Sequence, residues 1–406
     1  MRLGLKDLLV ALVLSSSQAT ATARKPHPAQ TFRECQSRTH NPLQRCPPGT
    51  IYVSQTDPRA DFHKIQDAVA SIGNDSLPHV ILIAPGVYVE QLNVTRRTPL
   101  TLLGVSDRPK RGELYAVGPE NENDVQIYWN SANHDAVFPD NVYTGVLTVG
   151  PNLNATLTGT GPTGFPVPGD TPFGCVDFRA YNIDFRNEYA PYASGPAHAV
   201  GVYVGKRGNV YFRDVIVAGQ TDFLYGFGTL YISASTLSLR NCGGGITAWK
   251  GTNASTSSPS LPSPAPPSGN KYGVYVSHSR VMASNHTIAP IIRGKCSLGR
   301  PWNDLHHSVF MRTYLDASIL PAGYTPWAGK PDNVGMGAGI GPDTVMAVYD
   351  VCGPGYDEDA ERAAANVTMV FNKQQARPYL EPVDVFVTAE DGRPDVSWID
   401  PSALPS

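Results

Sequence analysis

Residues 210–217 read Val-Tyr-Phe-Arg-Asp-Val-Ile-Val, and this short stretch decides the fold. It is an alternating apolar run, a brief polar turn, then a second apolar run. The same form recurs at 176–183 (Val-Asp-Phe-Arg-Ala-Tyr-Asn-Ile), at 230–237 (Leu-Tyr-Ile-Ser-Ala-Ser-Thr-Leu) and at 274–281 (Val-Tyr-Val-Ser-His-Ser-Arg-Val). Residues 309–315 (Val-Phe-Met-Arg-Thr-Tyr-Leu) come close to it. Starts at 176, 210, 230, 274 and 309 are irregularly spaced by a few tens of residues. Short strand, tight turn, short strand, with spacers of variable length, predicts stacked coils of a parallel β-helix. Each such coil buries its apolar side chains only against its neighbours. A sandwich of antiparallel hairpins is the alternative. It calls for Asn-Gly or Asp-Gly two-residue turns, which are scarce here.

Outward from the repeats, residues 61–72 carry helical spacing, with Phe62, Ile65, Ala68, Val69 and Ile72 on one face. A continuous apolar run at 80–83 and a Pro-Gly turn at 85–86 follow, leading into another strand. Two stretches interrupt the rhythm. Residues 112–174, rich in Gly, Pro and Asn, read as a large surface excursion. Residues 252–270 are a Ser/Pro-rich run that cannot pack a core. The strand pattern resumes at Tyr272, so this run is a loop inside the domain. The tail beyond Gly353 is expected to fold back on the coils.

Arg2, Lys6, the apolar residues 8–14 and the small residues 21–23 form a secretory signal pattern. The expected organisation is a signal over 1–23, an N-terminal extension over 24–50, the β-helix domain over 51–385 and a tail over 386–406. Six cysteines and sequons at Asn74, Asn93, Asn154, Asn253, Asn285 and Asn366 fit an oxidising, glycosylating route. Pairing of six cysteines is not deducible from sequence, although Cys35 with Cys46 closes a short loop. Charged residues are 17% of the chain and the net charge is −3, which gives no basis for nucleic-acid binding. The apolar segment of the signal is too short to span a bilayer.

Two further segments carry chemistry. Residues 220–226 read Gln-Thr-Asp-Phe-Leu-Tyr-Gly, which sets Asp222 at the mouth of an apolar strand. Residues 298–302 read Leu-Gly-Arg-Pro-Trp, presenting Arg300 and Trp302 on a rigid turn. A carboxylate among apolar groups needs a partner, and a guanidinium can fork onto both its oxygens. An oriented, ionised carboxylate can act as a nucleophile. A purely structural Asp–Arg pair accounts for the same residues.

These two segments resemble the active-site signatures of pectinesterases of carbohydrate esterase family 8, Asp-Phe-Ile-Phe-Gly and Leu-Gly-Arg-Pro-Trp. Residues 245–248 (Gly-Ile-Thr-Ala) resemble the end of that family's Asn-Thr-Ile-Thr-Ala, and 310–315 its Phe-Met-x-x-x-Leu. The resemblance implies an all-β, right-handed parallel β-helix with a short N-terminal capping helix and long surface loops. It also implies a secreted, monomeric enzyme, most like fungal members, acting on methyl-esterified homogalacturonan without metal or other cofactor. Asp222 would be the nucleophile and Arg300 its partner. Trp302, Tyr225 and Gln220 would line the substrate cleft.

The chain departs from the family in one place. The family's Gln-Ala-x-Ala-Leu is followed about one coil later by Gln-Asp-Thr, whose aspartate protonates the leaving methanol. Here Pro196-Ala-His-Ala-Val200 runs almost directly into Val202-Tyr-Val-Gly, as though a coil were absent. Gln66-Asp67 lies on the N-terminal helix and offers no substitute. Residues 220–222 could also be read as a scrambled Gln-Asp-Thr. The nucleophile register fits residues 223–226 better. His198 is a weak candidate oxyanion donor. His306 and His307 read as surface polar residues, and Gly243-Gly-Gly245 as a bend between coils. A lyase or hydrolase on the same fold, and a pectin-binding protein without catalysis, are the competing functions. A hydrolase requires a second carboxylate at glycosidase spacing, and none is evident near Asp222.

Overall fold

Each of the five repeats folds as strand, two-residue bend, strand. The pairs are Phe178–Tyr181 with Asp184–Arg186, Asn209–Arg213 with Ile216–Gly219, and Thr229–Ser233 with Thr236–Leu239. Gly273–Ser277 with Arg280–Ala283 and His307–Met311 with Tyr314–Leu315 complete the set. One left-handed residue makes each bend: Asn182, Asp214, Ala234, His278 and Arg312, with φ between 47° and 54°. Asn and Asp visit that region most readily, since their short side chains bond locally. Ala, His and Arg are held there by the stack. Ala234 N donates to Ser277 O, His278 N to Met311 O and Arg312 N to Tyr349 O. Hydroxyls beside the bends extend this ladder. Val215 N donates to Ser235 Oγ, and Ser235 N to Ser279 Oγ.

In the computed structural model, residues 32–405 are described except 74, 76, 97, 108–121, 133–137, 139–140, 151–176, 190–199, 202–208, 227, 250–271, 328–339 and 387–392. The described strands form sheets of ten, seven and six strands, and every strand pairing among them is parallel. From His79–Ile83 to Tyr314–Leu315 successive described strands visit the three sheets in rotation, so the architecture is the right-handed parallel β-helix. The antiparallel alternative is excluded.

Side chains in register explain the coil-to-coil fit. Phe212, Ile232, Val276, Phe310 and Val348 are matched across the ten-stranded sheet and point inward. Burying each of them contributes about 1.5–3 kcal/mol. Alternate positions place Tyr211, Tyr231 and Tyr275 in a column on the outer face, with ring centroids 6.2 and 6.4 Å apart. A one-residue slip would exchange the two columns, which fixes the register.

The C-terminal segment covers that tyrosine column, as expected of the tail. Phe386 packs on Tyr211 and Tyr231, Tyr379 stacks on Tyr275, and Tyr211 Oη donates to Ala403 O at 2.5 Å. At the other end, the helix Ile65–Ser71 caps the inward core. It is shorter than the expected 61–72, because Glu90 defines its start. The Glu90 carboxylate accepts from Ile65 N at 3.0 Å and Gln66 N at 2.9 Å. Gln66 is engaged with the backbone of Asn93, away from the cleft.

The expected excursion over 112–174 needs correction. Val125–Tyr128 and Leu147–Gly150 within it are strands of the stack, buried on their inward sides. Cys35–Cys46 forms as expected. A second disulfide, Cys242–Cys296, joins adjacent coils and was not anticipated. The signal pattern, residues 252–270, Cys175 and the sequons at 74, 154 and 253 lie outside the described residues. Asn285 and Asn366 are exposed and Asn93 is partly so. Among the described residues no helix is long and apolar enough to cross a membrane.

Candidate active site

Asp222 stands where the chain passes from Ile216–Gly219 of the seven-stranded sheet to Leu224–Gly226 of the six-stranded sheet. Its backbone is left-handed, φ 47°. Asp222 N donates to Gly245 O at 2.6 Å, and Gly245 N donates back to Asp222 Oδ1 at 3.0 Å. Phe223 and Leu224, directly behind, are fully buried in the core. The carboxylate is thus anchored on both sides of its own residue, and Asp222 is only 5% exposed.

Arg300 arrives from two coils further on, immediately after Ser297–Gly299. Its backbone N donates to Thr247 O at 3.0 Å. Gly299 permits this approach, since a Cβ there would lie 2.1 Å from Thr247 Oγ1. The guanidinium then forks onto Asp222: Nε donates to Oδ1 at 3.0 Å and Nη2 to Oδ2 at 2.5 Å. The structure therefore joins the two sequence signatures in one bidentate pair.

The strand between them carries a feature that the sequence reading took for a bend alone. A Cβ on Gly244 would lie 2.8 Å from Asp222 Oδ1 and 3.0 Å from Arg300 Nη2. One on Gly245 would meet the Gly299 backbone at 2.6 Å. The glycines leave the gap in which carboxylate and guanidinium meet; their only sequence signal is the triplet itself. Gly244→Ala is expected to destabilise the protein by about 1–3 kcal/mol through overpacking. Urea unfolding reads this as a lower midpoint, and an unchanged midpoint would count against a filled gap.

An aromatic group flanks the pair. Trp302, Tyr225 and Ala248 form a small cluster with Trp327 packed on it. The Trp302 and Trp327 rings are 6.0 Å apart, and the Arg300 guanidinium carbon sits 3.7 Å over the Trp327 ring. That is a close cation–π contact. Trp327 is partly exposed and was not anticipated from sequence. The placement of Tyr225 corrects its expected role as a stacking face: it is fully buried in the cluster and supports it from within. Trp302 is itself 6% exposed.

Gln220 is also buried, and its Nε2 donates to Tyr189 O at 3.0 Å. Its amide nitrogen is therefore spent on the protein's own backbone, contrary to the expected substrate contact. Arg240 holds the same segment, Nη1 donating to Asn187 O at 3.1 Å.

His306 and His307 are not surface residues. His306 is fully buried; Nδ1–H donates to Trp249 O at 2.9 Å and Nε2 pairs with Ser308 Oγ at 2.8 Å. Burial pushes its pKa down to about 3, so it is a neutral brace inside the stack. His307, 7% exposed, donates from Nε2 to Asp343 O at 2.9 Å, and burial likewise lowers its pKa. Among the described residues no three His, Cys, Asp or Glu side chains form a metal-binding group.

Of the junction suspected of lacking a coil, only Val200–Gly201 are described, and they form a strand of the six-stranded sheet. Val200 pairs with Leu147 on one side and Leu224 on the other. Pro196 and His198 lie outside the described residues. Among the described residues, Asp222 is the only ion-pair partner of Arg300.

Comparison with known proteins points in one direction. Residues 201–379 match the family model described as Pectinesterase. "Probable pectinesterase/pectinesterase inhibitor 23" of Arabidopsis thaliana is 25% identical over 287 residues, which is 68% of this chain and 43% of that protein. "Pectinesterase A" of Dickeya dadantii is 25% identical over 313 residues, 67% of this chain and 74% of that protein. The chain thus spans less than half the length of the plant relative and about three quarters of the bacterial one. The solved pectin methylesterase of Aspergillus niger superposes with a TM-score of 0.55 at 18% identity, covering 86% of this chain and 96% of its own. At that identity the likeness establishes a common fold.

Proposed function

The chain is pectinesterase-like, with similarity to fungal, bacterial and plant members, and from that premise we propose that it hydrolyses methyl esters of homogalacturonan. The observation that carries the reading is the bidentate Asp222–Arg300 pair beside Trp302 and Trp327. One Asp222 oxygen attacks the ester carbonyl carbon, and the C–OCH₃ bond breaks as methoxide takes a proton from water and leaves as methanol. Water then cleaves the resulting acyl–aspartate anhydride. This frees the galacturonate carboxylate and restores Asp222. Arg300 grips both oxygens of the carboxylate and aims it, and the exposed part of Trp327 offers a flat face to a pyranose ring. Secretion, a fungal-type enzyme and a monomeric state complete the proposal.

A second reading, pectin binding with little turnover, rests on a specific observation. Among the described residues no second carboxylate joins the Asp222–Arg300 pair. Methoxide is a poor leaving group without a general acid, whose absence costs about 10²–10⁴-fold. Slow catalysis is therefore expected, with pectin affinity intact. The test is methanol release from esterified pectin alongside pectin binding, both measured on the purified chain. Slow, protein-dependent release with binding supports catalysis; binding without release supports the second reading, and neither activity removes both.

A further inference from the structure

Glu361 lies on the short helix Glu358–Ala363 and is fully buried, yet among the described residues neither carboxyl oxygen has a hydrogen-bond partner. A buried polar group left in this state is costly, and an ionised one far more so. The charges around it offer no compensation. Asp357 and Glu358 on its own helix repel it; Tyr324 and Tyr356 face it from the neighbouring segments. The adjacent cation, Arg362, is turned toward solvent and pairs with Glu358 at 2.7 Å. Burial first, then the Asp357 and Glu358 charges, raises the Glu361 pKa to about 8.

The carboxyl sits against the segment 320–327. A Cβ on Gly323 would come within 2.9 Å of Glu361 Oε1 and 3.4 Å of Thr368 Cγ2, and the backbone there is left-handed, φ +70°. This segment runs alongside the strand that ends at Arg300. Leu298 N donates to Gly323 O at 2.9 Å, Thr325 N to Gly299 O at 3.2 Å, and Thr325 Oγ1 to Ser297 Oγ at 3.2 Å. At its end Trp327 covers the Arg300 guanidinium. One uninterrupted path therefore links Glu361, through Gly323, to both sides of Arg300.

We propose that Glu361 is a positioning residue for the Arg300 side of the cleft, seating the 320–327 strap while its carboxyl is uncharged and loosening it on ionisation. The catalytic part of this inference rests on the esterase reading; the structural part does not. The sign follows from linkage. An acid whose folded pKa is raised contributes stability that is full below its unfolded value, near 4.5, and is lost as pH rises towards about 8.

The test compares the wild type with Glu361→Gln, which keeps the shape and cannot ionise. Thermal unfolding, tryptophan fluorescence and methanol release are followed from about pH 5 to about pH 9. The wild-type Tm is expected to fall relative to the variant on the order of 5 °C across that range. Tryptophan emission should shift with the same midpoint. Wild-type kcat/KM should drop about tenfold between pH 7 and pH 9, on the basis of one ionisation per molecule, while Glu361→Gln holds its own low-pH rate. Parallel Tm and fluorescence profiles in the two proteins would overturn the proposal. If neither protein releases methanol at any pH, the esterase reading fails, and the Tm and fluorescence comparison still decides the role of Glu361.

Discussion

Asp222→Asn is expected to abolish methanol release, with a loss of about 10⁴-fold or more, as removal of a nucleophile does in enzymes acting through a covalent intermediate. The substitution keeps the planar shape and the acceptor oxygen that Gly245 N and Arg300 Nε reach. It replaces the nucleophilic carboxylate with an amide. Pectin binding should change little, because the aromatic cluster of Trp302 and Trp327 is untouched. Initial rates at matched protein and a pull-down on insoluble pectin separate the two effects. Substantial release by the variant would mean that Asp222 is structural.

Arg300→Lys should lose about 10²–10³-fold, the cost of removing one preorganised electrostatic partner. Lysine supplies a point charge but not the fork, so it cannot satisfy both Oδ1 and Oδ2. It also gives up the planar contact with Trp327. Arg300→Ala goes further and leaves a nearly buried carboxylate unpaired. A stability loss of about 3 kcal/mol is expected there, the lower end of the range for breaking a buried pair, since the Arg300 side chain is 23% exposed. Urea unfolding of Arg300→Ala and methanol kinetics of Arg300→Lys check the two statements separately.

Much of this fold was legible because its repeating unit is local. The strand–bend–strand form at 176–183, 210–217, 230–237, 274–281 and 309–315 is the coil itself, and its polar centre is where Asn182, Asp214, Ala234, His278 and Arg312 turn left-handed. The tyrosine column was present in the same strings, but the segment that covers it comes from the far end of the chain. What sequence missed depends on distant partners. Tyr225 was expected to face outward, and Trp302 and Trp327, far along the chain, cover it. His306 and His307 read as polar surface because nothing local announces the Trp249 and Asp343 carbonyls that satisfy them in the interior. The Asp222–Arg300 pair was foreseen from chemical need, since a carboxylate on an apolar strand requires a cation. The glycine gap that admits it was not, because steric room belongs to three coils at once. The disulfide Cys242–Cys296 likewise follows from coil stacking and not from spacing.

Whether Asp222 and Arg300 act as one catalytic unit is read from a double-mutant cycle on methanol release. Rates are measured for wild type, Asp222→Asn, Arg300→Lys and the double variant under one set of conditions. Residues that act as a unit are strongly non-additive. The double variant is expected to be no slower than Asp222→Asn alone, because Arg300 has no further catalytic work once the nucleophile is gone. Losses that multiply, or release retained in Asp222→Asn, would contradict it.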